Sequence, residues 1–250
     1  MTPAEVWSDL MAHPDEFPDG MLSEIALFLA HDCERSAGMD LYLDVFRTNF
    51  FFPLQRQGEL AAMMRLARVV EPKVVMEIGA DKGGSLYHWC KCLPTVKRVI
   101  ACEIRGTPYA RFFSEAFPHI QFCWLSASSY DYRTVTGVRT WLGGDPIDCL
   151  FIDGDKGAFD VDFDCYTRRF PMANNLVFMH DIQDELPGNA FWRCAEPYGH
   201  TTVIDLADTQ VAMKRAKEGL PVANPHEGWL RHWEGRSCGL GVIYLKEKSA

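Results

Sequence analysis

The pattern of apolar and polar positions divides the chain near residue 73. Before that point apolar residues recur at helical spacing. Met21, Leu22, Ile25, Leu27, Phe28 and Leu29 form one apolar face, and Leu41, Tyr42, Val45 and Phe46 form another. His13-Pro14, Phe17-Pro18-Asp19-Gly20 and Gly38 break these helices into short pieces, and Phe50-Phe51-Phe52-Pro53 reads as an extended connector. Leu60, Met63, Met64, Leu66, Ala67 and Val70 then mark a helix from Gln57 to Val70, which Pro72 ends. Beyond it the pattern changes to short apolar runs separated by helical stretches. Runs beginning at Val74, Arg98, Ile120, Ile147 and Asn175 read as strands buried on both faces, with a helix from Tyr109 to Phe117 among the connections. Strand and helix in alternation imply an α/β fold, a parallel sheet covered by helices on both sides. Two more strands, Thr201 to Leu206 and Leu240 to Leu245, follow with a polar stretch between them.

Composition narrows the picture. A chain of 250 residues suits one large α/β domain with an added cap, here a helical cap over residues 1–56 and a main domain over 57–250. A net charge of -9 argues against nucleic acid, whose phosphates call for gathered positive charge, so a small molecule is the expected partner. No apolar run approaches membrane-spanning length, and Met1-Thr2-Pro3-Ala4-Glu5 reads as a capped helix start rather than a basic signal segment. Nine cysteines are an odd number scattered through strands and helices, which fits reduced thiols in a cytoplasmic setting. Cys90-Lys91-Cys92 lacks the spacing of a zinc knuckle.

The run Val74 to Ser85 is an apolar strand that breaks into glycines ahead of Leu86-Tyr87-His88-Trp89, which can open a helix. Glycine permits backbone conformations closed to other residues and lets a ligand approach bare N–H groups. Glu77 stands two places before Gly79, and Glu-x-Gly-x-x-x-Gly-Gly-Ser differs from the regular spacing of dinucleotide loops. This segment resembles the first motif of the class I S-adenosylmethionine-dependent methyltransferases, with Asp81 where many members have glycine. The resemblance implies a Rossmann-like, doubly wound, mostly parallel seven-stranded sheet with an antiparallel last strand, preceded here by the N-terminal helical extension. It assigns Glu77, Gly79, Ala80, Gly83 and Ser85 to the cofactor's methionine end. Glu103, at the end of the next strand, is placed to accept both hydroxyls of a ribose. After the third strand Ala127 stands where the family often has an aspartate, which leaves backbone groups and Ser128 to read the adenine.

The strand from Ile147 ends in Asp153-Gly154-Asp155-Lys156, and the strand from Asn175 ends in His180-Asp181. If the two are parallel neighbours, their ends lie roughly 5 Å apart at the edge where open α/β sheets bind ligands. Asp153, His180 and Asp181 would then form a divalent-cation site. Phe-Ile-Asp-Gly-Asp-Lys, with Phe159 and Tyr166 following, resembles the Asp-x-x-Lys segment of the cation-dependent catechol and caffeoyl-CoA O-methyltransferases. In that family the aspartate binds metal, the lysine acts as base and an Asp-Asn pair completes the site. His180-Asp181 replaces that pair, and a His-Asp ending is similar to a related bacterial group of macrocin- and rhamnosyl-type O-methyltransferases and cephalosporin-hydroxylase-like proteins.

The resemblance implies methyl transfer from S-adenosylmethionine to a hydroxyl of a small molecule. Asp153 serves metal or cofactor, and Lys156 or His180 is the base. Lys156 would need its pKa lowered, which burial and a neighbouring cation would both do. An all-oxygen site favours Mg2+, whereas a coordinating His180 would favour Mn2+, Fe2+ or Zn2+. Phe191, Trp192, Tyr198, Trp229, Arg231, His232 and Trp233 could wall an acceptor pocket, fill the core or form a homo-oligomer surface. Two other readings stay open, a metal-independent transferase using His180 as base and a non-catalytic cofactor-binding subunit, while a nicotinamide-dependent dehydrogenase is disfavoured by the spacing of the first loop. Nitrogen methylation of bases is disfavoured, since Asn224-Pro225-His226 does not supply an Asn-Pro-Pro-aromatic run.

Overall fold

The computed structural model describes residue 55 and residues 57–106, 110–203 and 238–246. The helical segments and connector read before residue 55 lie outside this range, as do the end of the strand read from Thr201 and the insertion with Trp229 and Trp233. Helix α1 (Gln57–Val70) leads into β1 (Val74–Ile78), followed by α2 (Gly84–Cys92), β2 (Arg98–Cys102), α3 (Ala110–Ala116), β3 (Gln121–Leu125) and α4 (Tyr132–Leu142). The second half runs through β4 (Ile147–Ile152), α5 (Phe159–Asp164) with a π-helical turn at Cys165–Arg169, β5 (Ala173–His180), α6 (Glu185–Ala195), β6 (Gly199–Val203) and β7 (Leu240–Tyr244).

The strands form one sheet in the order β3-β2-β1-β4-β5-β7-β6. The first five are parallel, and β7 runs antiparallel to both its neighbours, β5 and β6. The apolar runs explain the layering. Side chains alternate across a strand, so Val75, Val99, Cys149, Phe151 and Phe178 face one side, where they pack with Leu60, Met63, Trp89 and Phe113 of α1, α2 and α3. Met76, Ile100, Leu150, Ile152, Val177 and Met179 face the other, against Val138, Phe159, Phe163 and Phe191 of α4, α5 and α6. With helices on both faces the central strands need no polar alternation, which is why they read as continuous apolar runs.

The chain steps outward from β1 to β2 and β3, then returns to place β4 on the other side of β1. The crossovers therefore reverse between β1 and β4, and a crevice opens at the C-terminal ends of these strands. Register fixes what surrounds it. Ile78 pairs with both Cys102 and Ile152, and Ile152 pairs with Met179. The residues that follow these paired ends are Gly79, Glu103, Asp153 and His180, so four separated positions arrive side by side. No described helix is long and apolar enough to cross a membrane. No disulfide joins the described cysteines.

Candidate active site

The crevice holds a cavity of about 610 Å³, within the range of small-molecule sites. Of the residues expected from sequence, Gly79, Glu103, Ser128, Asp153, Lys156, His180 and Asp181 border it. Glu77, Ala80, Gly83 and Ser85 do not: they build the turn from behind. Ser85 donates a hydrogen bond to the fully buried Glu77, and Gly83 closes the turn with its amide 2.7 Å from the Ala80 carbonyl. Burial pushes the Glu77 carboxyl up to about 8, with Asp153 adding repulsion, while the polar groups of Ser85 and Trp89 pull the other way. At neutral pH this carboxyl keeps its proton.

Gly79 is required by close approach. Its φ is +85°, and a Cβ there would lie 2.5 Å from the Asp153 carbonyl oxygen and 2.7 Å from the Gly154 nitrogen. The bare backbone lets β1 and β4 converge at the cavity floor. Gly79→Ala is expected to destabilise the protein by about 2 kcal/mol or more, since alanine meets both an unfavourable φ and a backbone clash. An unchanged urea midpoint would show that the two turns do not meet this closely.

Glu103 is 8% exposed, and each of its oxygens accepts one backbone N–H, from Asp81 at 3.2 Å and from Arg105 at 3.1 Å. This fixes the carboxylate while leaving lone pairs for a diol. The Ser128 hydroxyl oxygen is buried beside the cavity and bonds to no described residue. No acid follows β3 at Ala127. Behind the cavity-lining Ser129, the buried Asp162 of α5 accepts a hydrogen bond from its hydroxyl at 2.6 Å, and burial raises the Asp162 pKa to about 7.

The other end of the cavity is a compact charge cluster. β4 and β5 are indeed parallel neighbours, and Asp153, His180 and Asp181 offer ligand atoms that all lie within 4.8 Å of one another. Asp181 adopts φ 57°, a left-handed conformation that aspartate tolerates, and this turns the chain just after β5. His180 Nδ1 is 3.3 Å from both Asp153 Oδ1 and Asp181 Oδ1. Lys156 Nζ bridges the same acids, at 2.6 Å from Asp153 Oδ1 and 2.5 Å from Asp181 Oδ2. Burial alone would raise the Asp153 pKa, but His180 and then Lys156 outweigh it and hold the carboxyl at about 2.

Burial does push the Lys156 ammonium towards deprotonation, but Asp153 and Asp181 outweigh it, so its pKa is raised rather than lowered. His180 is likewise driven well above the ordinary range, because Asp153, and after it Cys238 and Glu59, overcome the effect of burial. In this arrangement the surrounding carboxylates favour the protonated form of both candidate bases.

Gln55, just before α1, and Glu59, in its first turn, complete the site without having been singled out from sequence. Gln55 Nε2 donates to Asp153 Oδ2 at 2.6 Å. Glu59 is fully buried, with Oε2 3.4 Å from His180 Nε2 and Oε1 accepting the Gly239 amide at 2.9 Å. Glu59 thereby ties α1, the end of β5 and the entry to β7 together. A signal for it existed: Glu59 lies on one helical stripe with Met63 and Ala67, both buried, and a charge on an apolar stripe calls for a partner. Gln55 offered no such signal. It falls within the stretch read as the N-terminal cap, yet it touches the centre of the site.

A doubly wound sheet of this strand order, with a glycine turn after β1 and a carboxylate after β2, is the class I S-adenosylmethionine-dependent methyltransferase fold. No family model and no curated protein matches the chain. Among solved structures it is similar to an O-methyltransferase from Bacillus cereus in complex with SAH, at TM-score 0.53 and 13% identity, covering 87% of this chain and 96% of that one. It is also similar to TomG from Streptomyces achromogenes, an O-methyltransferase involved in tomaymycin synthesis and solved with SAM, at TM-score 0.50 and 14% identity, covering 86% and 94%.

Proposed function

We propose that this protein transfers the methyl group of S-adenosylmethionine to a hydroxyl oxygen of a small hydroxylated molecule, with a divalent cation at Asp153, His180 and Asp181. The observation that carries this reading is the row formed by Gly79, Glu103, Asp153 and His180 along one cavity wall. A carboxylate suited to a diol at one end and a cation-type cluster at the other support this reading.

Glu103 holds the ribose, Ser128 and nearby backbone groups meet the adenine, and the Gly79 turn admits the methionine portion at the floor. Bound there, the cofactor would supply an electrophilic methyl group for the acceptor oxygen. A cation at the three ligands would lower the acceptor's pKa and fix its oxygen. Lys156 is the residue placed to take the acceptor's proton, because it borders the cavity with its side chain 37% exposed, whereas His180 is enclosed at 2%. It can do so only when it is not held as an ammonium by the two aspartates. His180 then serves as ligand and as the link to Glu59.

The test is transfer of labelled methyl from S-adenosylmethionine to a panel of catechols, sugars and phenolic natural products, with Mg2+ or Mn2+ and with chelator. Turnover that depends on the cation is the expected result. Tight donor binding without transfer to any acceptor would support the non-catalytic reading instead. Turnover unaffected by chelation would remove the metal from the proposal.

A further inference from the structure

The space between Asp153 and Asp181 is already spanned by a positive charge. Lys156 Nζ sits 2.6 Å from Asp153 Oδ1 and 2.5 Å from Asp181 Oδ2, at full hydrogen-bonding contact with both. These carboxylates are two of the three side chains that could ligate a cation here.

The pair has little room to serve two cations at once. Asp153 Oδ2 is occupied by the Gln55 amide at 2.6 Å, and its other oxygen already faces both Lys156 and the His180 imidazole. Asp153 Oδ1, the oxygen that lies 3.3 Å from His180 Nδ1, is the one the ammonium holds. A metal ion bound through that atom and through Asp181 would stand almost in contact with Nζ, where two positive charges repel strongly and their shells overlap. Lys156 also has a way out. Its side chain is 37% exposed at the cavity edge, so its flexible stem can swing Nζ off the acids toward the open side of the cavity. The aspartates are more enclosed, at 9% and 15%.

We propose that Lys156 is a tethered counter-ion: its ammonium and a divalent cation occupy the Asp153–Asp181 pair in alternation, and the ion enters only by displacing the lysine. The inference rests on the cation site proposed above and adds a consequence that a simple ligand set lacks. The wild-type protein binds the ion weakly, because part of the binding energy is used to eject Lys156. Displacement also moves the lysine off the aspartates and into the cavity, where the acceptor hydroxyl would lie. Cation entry and the freeing of Lys156 are then one event.

The experiment is a titration of the full chain with Mn2+, following free ion by electron paramagnetic resonance, for wild type, Lys156→Gln, Lys156→Arg and the double variant Lys156→Gln/Asp181→Asn. Lys156→Gln is expected to bind Mn2+ tighter by about tenfold or more, a gain that partial misfolding cannot mimic. Lys156→Arg keeps the charge and is expected to stay weak, and the double variant is expected to lose the gain. In chelator Lys156→Gln should melt below wild type, because two carboxylates face each other unneutralised, and Mn2+ should restore it. Equal Mn2+ affinity in wild type and Lys156→Gln would overturn the exchange while leaving the cation site in place. Absence of Mn2+ binding in both would overturn exchange and site together. Calorimetry with S-adenosylhomocysteine on the same samples reports separately on the methyl-donor reading.

Discussion

Asp153→Asn is expected to reduce methyl transfer by about a thousandfold while S-adenosylhomocysteine affinity changes far less. The size follows from the number of groups that share this carboxylate. Gln55 holds one oxygen, and Lys156 and His180 share the other. An amide keeps the shape but removes the charge, which leaves two cationic side chains short of a partner and weakens the hold on any metal ion. Stability should fall as well. The Asp153 pKa drops from 3.8 unfolded to about 2 folded, so its contribution of about 2 kcal/mol is present above pH 3.8 and is lost as pH falls through 2. Steady-state kinetics beside calorimetry would check the split. Equal losses of turnover and of donor affinity would mean that Asp153 serves the cofactor rather than the reaction.

The second large effect concerns Glu77. Its carboxyl has a pKa of about 8 in the folded protein against 4.5 when unfolded, because burial disfavours the charge. The folded state therefore binds the proton more tightly, and stability falls as pH rises from 4.5 through about 8, then levels. Glu77→Gln cannot titrate and escapes this loss. The variant should gain on wild type by about 3 kcal/mol between roughly pH 5.5 and 8.5, read as the difference of their urea unfolding free energies. A difference that stays constant across that range would place the Glu77 pKa near its ordinary value and remove the argument that it acts as a neutral hydrogen-bonding group beneath the glycine turn.

Much of the sheet was legible because its central strands are buried on both faces and so appear as unbroken apolar runs such as Val74 to Ile78 and Ile147 to Ile152. The residues just past the strand ends were legible for a related reason. A glycine, a carboxylate or a His-Asp pair directly after an apolar run marks the edge where parallel sheets bind ligands, and Gly79, Glu103, Asp153 and His180 all arrive there. What could not be read is how groups from other elements meet them. Glu77 and Ser85 carry a cofactor-loop signature, yet they pair with each other behind the turn. Gln55 lies far from Asp153 in sequence, and only the path of the chain into α1 brings the two together. Lys156 posed a different problem. Its place beside two acids was visible, but whether they would raise or lower its pKa depends on distances of a few ångströms that spacing does not encode. The balance of charges had to be seen in space.

The central claim is that the cavity beside Gly79 and Glu103 receives S-adenosylmethionine, and titration calorimetry with S-adenosylhomocysteine tests it most directly. Wild type should bind one equivalent with roughly micromolar affinity, and Glu103→Ala should weaken binding by about a hundredfold or more, since two ribose hydroxyls would lose a fixed acceptor. No binding by a folded wild-type protein, or equal affinity in Glu103→Ala, would contradict the account.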